Sequence, residues 1–251
     1  MLDTILADTR TRVEALKRSG LISEPSPRST QRSFLEALSG GGLSVIAEVK
    51  RRSPSRGHLA DIADPVAQAL RYRGAQALSV LTEPTHFSGF PEDLRRIAAA
   101  VTVPVLRKDF ILDPIQVWET AELGADALLL IVGALTDEDL LTLLAETRKA
   151  GLEALVEVHN EAEVHRALEA GALIVGVNNR DLASFDVDLA TAEALAPLLV
   201  DVPVRVAESG ISDRAGAVRM ERAGYQAVLV GEALVAAGDP ASMISEIRGA
   251  S

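Results

Sequence analysis

One phrase recurs along the chain: a stretch with helical spacing of apolar positions, a glycine, then an unbroken apolar run ending in a polar or charged residue. Gly74 precedes the run at 77–81, Gly124 that at 127–132, Gly151 that at 154–158, Gly171 that at 173–177 and Gly224 that at 227–230. A glycine just past a helix supplies a left-handed cap, and an apolar run without alternation reads as a strand buried on both faces of a parallel sheet. Two further runs, 103–106 and 202–206, fill the wider gaps, each with proline near its start, where a strand tolerates it. Residues 44–49 make the eighth. From Gly74 to Gly224 the spacing is about 25 residues per unit, a βα repeat length. Eight strands with helices between them predict an α/β chain folded as a closed (β/α)8 TIM barrel. An open doubly wound sheet is the alternative, but it usually carries a glycine-rich turn after its first strand, and none follows Val49.

Residues 1–43 precede the first strand. Helical patterns at 2–16 and 33–38, separated by Pro25, Pro27 and several Ser and Thr, predict a helical N-terminal extension covering part of a barrel that spans 44–251, the whole forming a single domain.

Composition narrows the chemistry. The 251 residues are 48% hydrophobic, the range of a globular chain with one well-filled core, and the net charge is −11. That acidity argues against a general nucleic-acid binder, which needs clustered Lys and Arg. Apolar runs fall short of the ~18 residues of a membrane helix, and Asp3, Asp8 and Arg10 interrupt the N-terminus where a signal peptide would be apolar, so a cytoplasmic location without membrane association is expected. With no cysteine there is no disulfide, thiolate metal site or cysteine nucleophile. His58, His86, His159 and His165 stand in no metal-ligand spacing, and Trp118 reads as packing.

In such barrels the chemistry gathers at the carboxyl ends of the strands. The runs end in Glu48 and Lys50, Thr82-Glu83, Arg107-Lys108-Asp109, Glu157 and His159, Asn178 and Arg180, Glu208-Ser209-Gly210, and Gly231-Glu232, while the fourth ends apolar at Ile131-Val132-Gly133. Side chains alternate along a strand, so Glu48 and Lys50 share the face of Ile46, Lys108 that of Leu106, Glu157 that of Leu155, and Arg180 that of Asn178. Any one charge could be a salt-bridged rim residue. Inward charge from four strands is costly to desolvate without a purpose, and predicts a catalytic pocket. Ser209-Gly210 and Gly231-Glu232 follow the seventh and eighth strands, where barrels bind phosphate through backbone N–H groups. The cationic loop Lys50-Arg51-Arg52-Ser53-Pro54-Ser55-Arg56-Gly57 is expected to focus an anionic substrate and to close over it.

These residues sit in blocks that resemble the indole-3-glycerol phosphate synthase family almost end to end. The blocks are Ile46-Ala47-Glu48-Val49-Lys50 with Ser53-Pro54-Ser55, Ser79-Val80-Leu81-Thr82-Glu83 with Phe87-Ser88-Gly89, and Pro104-Val105-Leu106-Arg107-Lys108-Asp109-Phe110. Leu155-Val156-Glu157-Val158-His159, Gly176-Val177-Asn178-Asn179-Arg180-Asp181-Leu182 and Glu208-Ser209-Gly210-Ile211 complete the set. The resemblance implies conversion of 1-(2-carboxyphenylamino)-1-deoxy-D-ribulose 5-phosphate, a phosphorylated small molecule, to indole-3-glycerol phosphate in tryptophan biosynthesis, with ring closure, decarboxylation and dehydration and without metal or organic cofactor. It implies Lys108 as general acid and Glu157 as base, with Glu48, Lys50, Asn178 and Ser209 assisting or positioning. Arg180 would meet the substrate carboxylate or hydroxyls. Ser53, Ser209, Gly210, Gly231 and Glu232 would hold the phosphate, and Pro54, Phe87, Phe110, Leu129, Ile131 and Leu182 would line the aromatic pocket. Arg56, Phe90, Ala207 and Glu232 depart from the commoner family residues. Rival readings are a phosphoribosylanthranilate isomerase type of barrel, whose usual base is a cysteine, a Schiff-base aldolase using Lys108, and a non-catalytic ligand-binding barrel.

Overall fold

The computed structural model describes residues 2–25, 32–53, 57–59, 62–181 and 184–249. Eight parallel strands close into a barrel: β1 (Ser44–Val49), β2 (Ala77–Leu81), β3 (Val105–Lys108), β4 (Ala127–Ile131), β5 (Glu153–Val158), β6 (Ile174–Asn178), β7 (Val204–Glu208) and β8 (Ala227–Val230). Each pairs with its neighbours in sequence, and β8 returns to β1 with Ser44 opposite Ala227 and Ala47 opposite Val230. The two proline-bearing runs become strands one residue after the proline, at Val105 and Val204, because proline has no N–H for the ladder.

Local chemistry sets where the intervening helices start. Asp64-Pro65, Asp113-Pro114 and Asp239-Pro240 each place a capping carboxylate before a proline in the first turn. The glycines of the repeat end the helices in the left-handed region, with φ from 71° at Gly151 to 92° at Gly224. Among the described residues no helix is long and apolar enough to cross a membrane.

The alternation of side chains divides the core in two. Val45, Ala47 and Val49 face the surrounding helices, whereas Ile46, Leu106, Leu129, Leu155, Ile174, Val206 and Leu229 fill the barrel itself. The two helices that precede β1 attach at opposite ends. Helix α2 (Phe34–Leu38) plugs the amino-terminal end, with Phe34 and Leu38 fully buried against the barrel interior. Ser33 caps it, and the Glu153 carboxylate at the start of β5 accepts the backbone N–H groups of Phe34 and Leu35. Helix α1 (Leu2–Ser19) lies at the other end, tied by Arg12 to Asp109 at 3.0 Å and by Lys17 to Asp113 at 2.6 Å.

The cationic loop after β1 brings Lys50 and Ser53 to the cavity at the mouth of the barrel. Arg52–Ser53 pairs antiparallel with Gly57–His58 in a two-stranded ribbon, which no sequence pattern announced. Arg51 is turned away from the barrel mouth: it donates to the carbonyls of Ile62 and Ser88, pairs with Asp93 and lies 5.9 Å over the Phe90 ring. It therefore anchors the loop instead of focusing an anion. Pro54, Ser55, Arg56 and Leu182 lie outside the described residues.

Candidate active site

Glu48, Lys108, Glu157, Asn178 and Glu208 close the inward-facing rows of β1, β3, β5, β6 and β7, each two residues beyond an apolar side chain of the barrel interior or, on β6, beyond Gly176. Glu208 is buried beside Lys108, and Glu48, Lys108, Glu157 and Asn178 line a cavity of about 430 Å³ at the carboxyl end of the barrel. Every described candidate from the sequence lines it: Glu48, Lys50, Ser53, Phe87, Lys108, Phe110, Leu129, Ile131, Glu157, Asn178, Arg180, Ser209, Gly210, Gly231 and Glu232.

Lys108 is the hub. Its Nζ is 2.7 Å from Glu208 Oε2 and 3.5 Å from Glu157 Oε2. Burial alone would lower the Lys108 ammonium, but Glu208, Glu157 and Glu48 more than offset it and hold the group above its ordinary value. Burial would raise Glu157, yet Lys108, His159 and the amide of Asn178, 3.1 Å from Oε1, keep it below the usual carboxylate range. Glu48 is likewise lowered against its burial by Lys50, whose Nζ lies 2.7 Å from Oε1. Glu208 ends up highest. Burial and the repulsion of Glu157 and Glu48 push it up to about 7 despite Lys108. Three carboxylates facing two lysines leave an excess negative charge, and the cluster relieves it by holding its last proton where water is most excluded.

The charges outside this row have structural duties. Arg107, pointing to the other face of β3, pairs with Asp109 at 3.2 Å and Glu119 at 2.7 Å. Glu83 is buried and accepts the backbone N–H groups of Thr85, His86 and Phe87, which sets the short helix Pro84–Phe87 and brings Phe87 to within 6.3 Å of Phe110, centroid to centroid. With Leu129 and Ile131 from β4 these rings form the apolar wall.

Ser209, Gly210, Arg180, Gly231 and Glu232 make a second wall of the cavity. Ser209 and Gly210 are consecutive left-handed residues, φ 63° and 82°, and a Cβ on Gly210 would stand 2.6 Å from Val187. A Cβ on Gly231 would meet Glu48 Oε1 at 2.5 Å. Arg180 is oriented by Asn178, whose Oδ1 accepts its backbone N–H at 3.0 Å, and its guanidinium lies 3.3 Å from Glu232, which also stands 4.0 Å from Lys50.

Glu208 and His159, two residues beyond Val206 and Glu157, lie outside the residues that the sequence singles out for the site, although the same alternation extends to both. Leu2 and Ile5 of α1 also line the cavity, and no local pattern marks them, because their place depends on where α1 docks.

A family model described as indole-3-glycerol phosphate synthase matches residues 2–247. The indole-3-glycerol phosphate synthase of Kineococcus radiotolerans is 48% identical over 98% of this chain and 94% of its own, and that of Mycolicibacterium smegmatis 46% over 98% and 93%. Among solved structures, 3-hexulose-6-phosphate synthase from Salmonella typhimurium superposes with a TM-score of 0.66 over 83% of this chain and 98% of that one; at 16% identity the likeness is one of fold. Sequence blocks, barrel and relatives agree across nearly the full length, and the chain belongs to the indole-3-glycerol phosphate synthase family.

Proposed function

We propose that the cavity converts 1-(2-carboxyphenylamino)-1-deoxy-D-ribulose 5-phosphate to indole-3-glycerol phosphate, the carboxy-lyase reaction of tryptophan biosynthesis that the family name denotes. The observation that carries the assignment of roles is the position of Lys108, an ammonium among three carboxylates at the mouth of the barrel. A charged lysine there acts as general acid: it donates to the substrate ketone oxygen as the ring carbon bearing the carboxylate attacks the carbonyl carbon. Loss of carbon dioxide then returns the electron pair to the ring. Dehydration follows, with Glu157 taking the proton from carbon and the departing hydroxyl leaving as water after protonation.

Glu48, Lys50 and Asn178 position this pair, with Ser209 at the border between the reacting centre and the phosphate wall. Arg180 faces the substrate carboxylate or hydroxyls, since its fork suits planar anions. Ser53, Gly210, Gly231 and Glu232 bound the phosphate wall, Glu232 through its backbone N–H alone, because its carboxylate repels the ligand. Phe87, Phe110, Leu129 and Ile131 take the aromatic ring. A Schiff-base role for Lys108 is disfavoured, because the surrounding carboxylates stabilise the ammonium over the free amine. The helices of residues 1–43 belong to the same working unit, α1 lending Leu2 and Ile5 to the cavity. A fluorescence assay for indole formation from this substrate, run with EDTA, tests the reading: turnover is expected, and a folded protein without turnover would refute it.

A further inference from the structure

His159 follows β5 two residues after Glu157, and the reaction above leaves it without a part. Its ring lies between two carboxylates: Nδ1 is hydrogen-bonded to Glu163 Oε2 at 3.0 Å, and Nε2, buried and without a hydrogen-bond partner among the described residues, stands at ion-pair distance, 3.3 Å, from Glu157 Oε1. Glu163, in the helix Glu161–Glu169, is itself held: Oε2 also accepts the backbone N–H of His159 at 2.9 Å, and Oε1 accepts from the Asn160 amide at 2.9 Å. A Cβ on Gly133, in the turn Val132–Ala134 packed against this helix, would stand 3.1 Å from Glu163 Oε1, so the carboxylate has little room to move. That turn contributes no charge, and Arg166 of the same helix is engaged by Asp137 and by the carbonyls of Val132 and Leu135.

The two oxygens of Glu157 are thereby made unequal. Oε1 accepts from Asn178 and faces His159, whereas Oε2 faces Lys108 at 3.5 Å. The other charged groups around it are Glu48 from β1 and Glu208 from β7, and the neighbouring β4 contributes the apolar Ile131.

We propose that His159 is a positioning residue for the reaction: clamped between Glu157 and Glu163, it pins Oε1 of Glu157 and leaves Oε2 as the oxygen that exchanges a proton with substrate. The proposal rests on Glu157 being the base. Burial would lower the imidazole, but its two carboxylate partners hold it up at about 10, so the ring is a cation at neutral pH. Its charge then also lowers the ionisation range of the carboxylates beside it.

The test uses the full chain with His159→Gln and Glu163→Gln, measuring kcat and KM from about pH 5 to 9, and the ring nitrogens of the unsubstituted protein by NMR. His159→Gln is expected to lower kcat on the order of tenfold with KM within about threefold, and to move the acid limb of kcat/KM upward, because a positive charge is lost beside Glu157 and the carboxylates of the cluster titrate together. Glu163→Gln moves the limb the same way by less. The His159 ring stays doubly protonated up to about pH 8. A ring neutral at pH 7 overturns the proposal, and so does a fall in kcat with an unmoved acid limb, the signature of a merely structural role. If the unsubstituted protein fails to turn over the substrate, the reading of the reaction fails, while the ring titration still decides the clamp.

Discussion

The Nζ of Lys108 lies 2.7 Å from Glu208 Oε2, and the second oxygen of that carboxylate, buried and without a hydrogen-bond partner among the described residues, sits over the bare backbone of Gly176. A Cβ at Gly176 would stand 2.2 Å from it, so the strand beside Glu208 is built to make room for this carboxylate. Burial and its carboxylate neighbours push Glu208 up to about 7, and together with Glu157 and Glu48 it holds the Lys108 ammonium above its ordinary value.

The acid limb of kcat/KM is therefore expected near pH 7 and belongs to the carboxylate cluster with Glu208 as its weakest acid. Glu208→Gln removes the limb and lowers kcat about tenfold or more. A limb unchanged in the variant would assign it elsewhere.

Lys108→Ala and Glu157→Gln each remove one member of the acid–base pair and are expected to lower kcat by about 100-fold or more with the barrel intact. Near-normal kcat in both, measured by indole fluorescence in protein with an unchanged circular dichroism spectrum, would sink the assignment of roles.

Anions that bind the native state alone raise its melting temperature. At 100 times the dissociation constant the stabilisation is about 2.7 kcal/mol, or roughly 5–10 °C for a chain of this size. Inorganic phosphate is expected to do this here. Because Glu232 lies 3.3 Å from Arg180 and 4.0 Å from Lys50, Glu232→Gln removes a competing carboxylate and enlarges the shift at a given phosphate concentration. The comparison is a pair of phosphate titrations by thermal unfolding, and a smaller shift in the variant would reverse the reading.

Phe34 is fully buried at the end of the barrel remote from the cavity. Phe34→Ala is expected to destabilise the fold by about 3–5 kcal/mol through lost burial and the remaining void, with kcat/KM of the surviving folded protein close to normal. Denaturant unfolding with steady-state kinetics separates the two effects. A large kinetic loss at full foldedness would mean that the plug communicates with the site.

How much could be foreseen varied with the range of the interaction. The five repeat glycines and the two proline-bearing runs located seven strands and the apolar run at 44–49 the eighth, since helix caps and buried parallel strands are decided within a few residues. The alternation from Ile46, Leu106 and Leu155 likewise pointed Glu48, Lys108 and Glu157 inward. The place of Arg51 was not legible for the opposite reason: a cation in a loop has no periodicity, and Asp93 and Phe90, which hold it, lie some forty residues downstream.

By itself the sequence determined the strands, their inward rows and the residue types at the mouth of the barrel, because pleat and cap chemistry are local. Only the tertiary structure decided which charges meet. Lys108 and Glu208 are a hundred residues apart, His159 lies between carboxylates whose oxygens must be aimed, and α1 reaches the cavity through the ion pair of Arg12 with Asp109. Distances of about 3 Å between side chains on different strands follow from closing the barrel at one register, and no local pattern encodes them.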